Sequence, residues 1–89
     1  MIRRKLTVIN ELGLHARAAT KLAALTGRFE ADIRTGIEAP SVDAKSIMSL
    51  MLLAANQGTE LSFEFDGADE TDACEEITQL FADFFGEGR

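Results

Sequence analysis

The chain has 89 residues, 46% of them apolar and 27% charged, with a net charge of −6. That length makes one compact domain, residues 1–89, with one modest core and no room for a deep substrate cavity. A single cysteine and a single histidine exclude an intrachain disulfide and most metal sites, since structural zinc takes about four Cys/His ligands; acidity without Trp or Tyr argues against nucleic acid.

No apolar run approaches the roughly 18 residues of a membrane span. The basic start, Met1 to Lys5, leads into polar Thr7 and Asn10 rather than the apolar stretch of a secretion leader. A cytoplasmic protein without a membrane or nucleic-acid partner is expected. Charge is uneven: residues 1–45 hold eight Lys/Arg and five acids, residues 46–89 hold one and ten. Either the second half carries a solvated acidic helix face, or the basic half faces an anionic ligand or acidic partner.

Arg3 to Asn10 is rich in β-branched residues, with Leu6 and Val8 on one face, and predicts a strand. Glu11 to His15 forms a turn. Ala16 to Thr26 contains strong helix formers, places Ala19, Leu22, Ala23 and Thr26 at helical spacing, and ends at Gly27. Phe29 to Thr35 alternates, with Ala31, Ile33 and Thr35 on one side, as a half-buried strand does. Pro40 to Ala44 fits a short edge strand. Ser46 to Ala55 reads as a helix capped by Ser46 and apolar almost all round. Glu60 to Asp66 alternates cleanly, with Leu61, Phe63 and Phe65 inward. Asp69 caps a last helix whose apolar stripe is Ala73, Ile77, Leu80, Phe81 and Phe84. Cys74, near its start, reads as buried packing. The order β-α-β-β-α-β-α predicts an α+β sandwich, with helices on one face of a sheet wet on the other.

Gly13-Leu14-His15-Ala16-Arg17 carries the chemistry. His15 falls at the N-cap of the first helix, where amides without helical partners meet the positive end of the dipole and make an anion site. Arg17 adds a permanent cation with a fork suited to phosphate oxygens. An imidazole is also a competent nucleophile. On spacing alone, His15 could equally end a loop and cap a helix. In the second helix, Leu50 and Leu53 are the core choices. Ile47, Met48 and Met51 are left as a docking patch, for which adaptable methionines are suited. Lys21 and Lys45 read as solvated surface.

The string LGLHARAATKLA, residues 12–23, is similar to the active-site signature of the HPr family, the histidine-containing phosphocarriers of the phosphoenolpyruvate-dependent phosphotransferase system. DAKSIMSLMLLAA (residues 43–55) and GADETDA (residues 67–73) resemble the family's second helix and the start of its last helix. The likeness spans essentially the whole chain. It implies an open-faced sandwich of four antiparallel strands with three helices on one side, and a monomer. It implies that His15 accepts a phosphoryl group on Nδ1 from phospho-enzyme I and passes it to an enzyme IIA. Arg17 and the backbone amides of Ala16, Arg17 and Ala18 would hold the phosphate, and no cofactor is needed. The serine aligned with Ser46 can be phosphorylated by a dedicated HPr kinase/phosphorylase. The commonest signature has proline where this chain has Ala18, and alanine there resembles the nitrogen-related branch, NPr. The sugar-transport branch is the alternative within the family. A regulatory module that only docks is the alternative outside it. A stand-alone hydrolase lacks a local acid to orient His15.

Overall fold

The computed structural model describes residues 1–89. Four strands, β1 (Ile2–Thr7), β2 (Asp32–Gly36), β3 (Val42–Asp43) and β4 (Glu60–Asp66), form one antiparallel sheet in the order β1-β4-β2-β3. Three helices, α1 (Ala16–Thr26), α2 (Ile47–Leu52) and α3 (Glu70–Ala82), accompany it, and a 3-10 turn (Phe84–Gly86) follows α3. This is the expected α+β architecture, with the short strand at an edge.

Alternation explains the layers. Leu61, Phe63 and Phe65 of β4 and Ile33 and Thr35 of β2 turn inward and are buried. All but Thr35 join Leu22 of α1, Leu50 of α2, and Ile77 and Phe81 of α3 in one apolar cluster. Phe81 sits edge-on to Phe63, with ring centroids 5.6 Å apart. Each such ring contributes about 1.5–3 kcal/mol by leaving water.

Side chains override local pattern at several boundaries. β1 stops at Thr7 instead of reaching Asn10, because Asn10 is buried and its Nδ2 donates to the Gly13 carbonyl, 2.8 Å away. β2 starts at Asp32 instead of Phe29. The amides of Glu30 and Ala31 donate to the Asp69 carboxylate, both at 2.9 Å, so they are unavailable to a neighbouring strand. Asp69 therefore sits at the N-cap of α3 without capping it through its side chain. α2 ends at Leu52 instead of Ala55: Leu53 and Ala54 bond back three residues, and Ala54 takes φ +51°. Phe85, not Phe84, completes the apolar stripe after α3. The chain turns left-handed at Phe84 and Phe85 (φ +56° and +52°), which drives the Phe85 ring into full burial 4.8 Å from Phe81.

The charge imbalance resolves into internal pairing. Antiparallel register sets Arg3 opposite Glu64, and Arg3 Nε lies 3.1 Å from that carboxylate. Lys5 reaches Glu60, Arg28 reaches Glu76, and the amino terminus reaches Glu70. The basic half thus folds against the acidic half. Such exposed pairs contribute only about 0–1 kcal/mol each.

Candidate functional site

The turn before α1 is tightly set. Gly13 has φ +71°, and a Cβ there would meet the Ala55 carbonyl oxygen at 2.6 Å. Leu14 is buried and donates its amide to that same carbonyl at 2.8 Å. The stretch after α2 therefore fixes the residue before His15.

His15 is the N-cap of α1, with extended backbone. Its Nδ1 accepts from the Arg17 amide at 3.3 Å, and its carbonyl accepts from the Ala19 amide at 2.8 Å. The amides of Ala16 and Ala18 make no hydrogen bond within the protein. The imidazole is 27% exposed, so a reacting group can approach it. The Arg17 guanidinium is exposed and lies within 4.0 Å of no carboxylate. It lines a cleft of about 190 Å³ with Glu11, Leu12, Glu87 and Arg89. The expected amides thus divide: that of Arg17 is turned on the ring nitrogen, that of Ala16 is unpaired on an exposed residue, and that of Ala18 is unpaired but lies in a fully buried residue, which the expected phosphate contact does not reach.

An amide N–H can only donate, so Nδ1 carries the lone pair and Nε2 the proton. The other side of the ring agrees. Nε2 lies 2.5 Å from Oε2 of Glu87, whose side chain is only 7% exposed. Asn10 Nδ2 donates to the other Glu87 oxygen at 2.9 Å. Burial works to raise the Glu87 carboxyl, but the hydrogen bonds from Asn10 and His15, the charge His15 carries when protonated and the charge of Arg17 prevail and hold it below its ordinary value. Neither Asn10 nor Glu87 stands out in the sequence. Glu87 lies 72 residues from His15 and beyond the last helix, where an isolated acid gives no local signal.

Lys21 is a correction: it is not simply solvated, because its Nζ donates to the Phe85 carbonyl at 2.8 Å and ties α1 to the turn that leads to Glu87. Lys45 likewise donates to the Phe29 carbonyl at 2.7 Å. Cys74 is a free, buried thiol.

At α2, Ser46 caps with Oγ on the Ser49 amide at 3.2 Å. Leu50 is fully buried and Leu53 packs against the core from partial cover. Ile47, Met48 and Met51 are exposed, and so is Leu52, at 79% the barest of the four. Together these four line an open apolar surface. Leu52 was not among the expected docking residues.

An imidazole at a helix mouth, with an unpaired amide and a free guanidinium beside it, can accept and hold a phosphoryl group but cannot enclose a second substrate. The comparisons with known proteins agree. Residues 2–83 match the family described as the phosphotransferase-system HPr component phosphorylation site. The chain belongs to the HPr family. It is 47% identical over 88 residues to the phosphocarrier protein HPr of Cupriavidus necator, covering 99% of both chains. It is 42% identical, with the same coverage, to HPr of Neisseria meningitidis. HPr of Thermoanaerobacter tengcongensis superposes with a TM-score of 0.92 at 32% identity over 98% of both chains. The protein is thus an HPr-type phosphocarrier of the phosphotransferase system, and the four-stranded antiparallel sheet with three helices is the HPr fold.

Proposed function

We propose that the phosphoryl group is carried on Nδ1 of His15, delivered by phospho-enzyme I and surrendered to an enzyme IIA. The observation that carries this reading is the ring's placement: Nδ1 bears the lone pair and faces the start of α1, beside the unpaired amide of exposed Ala16. A phosphoryl group there would meet that donor, the Arg17 amide and the Arg17 guanidinium together. Transfer of this kind needs positioning and charge stabilisation above all, so the donor and acceptor proteins supply the rest of each site. The chain then works as a shuttling substrate of other enzymes, as a monomer in the cytoplasm. Ile47, Met48 and Met51, joined by Leu52, form the surface on which those partners dock.

Ala18 supports the nitrogen-related branch. The residue is fully buried and its amide is unpaired, where proline would present no N–H at all. The relatives above carry the plain name HPr, and the sugar-transport branch is the second reading. Ser46 is a regulatory site on this reading: a phosphate there would set about −1.5 to −2 charges beside the docking surface.

The test is labelling with phosphoenolpyruvate and enzyme I. The native chain takes an acid-labile, base-stable label and His15→Ala takes none while keeping its circular dichroism spectrum. Label surviving in the folded variant overturns the assignment. Onward transfer to a nitrogen-type and a sugar-type enzyme IIA, compared side by side, separates the branches.

A further inference from the structure

Glu87 lies outside the family-matched residues 2–83, yet its carboxylate touches the ring that the family motif supplies. Three anchors bring it there. The Phe85 ring is fully buried, Lys21 Nζ holds the Phe85 carbonyl, and Gly86 turns the chain at φ +75°. Asn10 then fixes the carboxylate from the turn before α1. The other charged groups around it are Arg17 on α1, Glu11 in the turn and Arg89 after it, and Arg89 is paired with Glu11 at 3.4 Å.

We propose that Glu87 is a positioning residue that directs the phosphoryl group to Nδ1, by covering Nε2 and holding its proton through the transfer cycle. The inference rests on His15 being the phosphoryl acceptor. An unconstrained imidazole offers either nitrogen, and Nε2 is the less hindered one. Here Nε2 points at a shielded anion that accepts its hydrogen bond, so only Nδ1 presents a lone pair. As Nδ1 attacks phosphorus, the N–P bond forms and the bond from phosphorus to the donor breaks, its electron pair leaving with the donor. The ring becomes an imidazolium, and the Glu87 carboxylate faces that new charge. The depressed Glu87 carboxyl keeps this anion available. On return transfer the N–P electron pair goes back to Nδ1, and the ring leaves as neutral imidazole because Nε2 has kept its proton.

The experiment uses potassium phosphoramidate, which phosphorylates imidazole nitrogens without a protein partner and releases ammonia. The native chain, Glu87→Gln and Glu87→Ala are treated alike, and 15N–31P spectra of the single histidine identify the substituted nitrogen. The native chain is expected to carry phosphate on Nδ1 alone, with a slowly exchanging Nε2 proton visible before reaction. Glu87→Ala is expected to lose that proton signal and to gain the Nε2 isomer. Glu87→Gln keeps an acceptor oxygen without charge. It is expected to stay Nδ1-selective. Nδ1-only product in Glu87→Ala overturns the role of Glu87 and leaves His15 as the carrier. A native chain labelled elsewhere than on His15 overturns the carrier assignment itself.

Discussion

Ionised Glu87 stabilises the folded chain only while it remains ionised. Its carboxyl is held below the ordinary 4.5 by Asn10 and His15, against the cost of burial. A depressed carboxyl contributes fully above its unfolded value and loses the contribution as pH falls through the folded one. The native chain should therefore lose stability below about pH 4.5 more steeply than Glu87→Gln, as urea unfolding at pH 7 and at pH 3 would reveal. Parallel curves would show that the carboxylate gains nothing from its partners. Arg17 makes a different kind of contribution, since its guanidinium has no partner in the resting chain. Arg17→Ala should leave the melting temperature within a degree or two. It should slow labelling by enzyme I about ten- to a hundredfold, the worth of one hydrogen bond to a charged group.

Among the elements, the turn before α1 carries the most constraint. Gly13→Ala would force a Cβ against the Ala55 carbonyl from a left-handed backbone. It should cost about 1–3 kcal/mol in urea unfolding and disturb the His15 signals as well. Strand β4 and the inward faces of β2 and α1 were readable from period alone, because their side chains obey the layer they sit in. The boundaries that shifted did so through contacts between distant segments. Asp69 draws amides from Glu30 and Ala31, and Phe85 enters the core only because the chain reverses hand after α3. His15, Ala16 and Arg17 were legible because the motif is contiguous. Asn10 and Glu87 were not, since they join the site through a hydrogen bond across the length of the chain.

At the scale of the whole molecule, the phosphate site and the apolar surface of α2 share one scaffold, joined where the Ala55 carbonyl after α2 holds the Leu14 amide before His15. Met48→Asp and Leu52→Asp alter side chains that are 73% and 79% exposed, so melting should barely change. Phosphoryl transfer from enzyme I should fall by about tenfold or more if partners dock there; a native rate in both variants would place the docking surface elsewhere. Phe85→Ala should do the reverse of a surface change. It removes a fully buried ring and should cost about 3–5 kcal/mol, and the loosened terminus should release Glu87 from His15.

The sheet order also leaves β1 and β3 with one unpaired margin each. β3 is only two residues long and offers little for another chain to zip onto. β1 is six residues long, and its middle is Arg3-Arg4-Lys5, all exposed. Arg3 and Lys5 are paired with Glu64 and Glu60, so a second copy adding its own β1 alongside would add two unpaired cations, one Arg4 from each chain, and their repulsion works against edge-to-edge pairing. On the proposed reading, a carrier passed from donor to acceptor would gain from a border that resists its own kind.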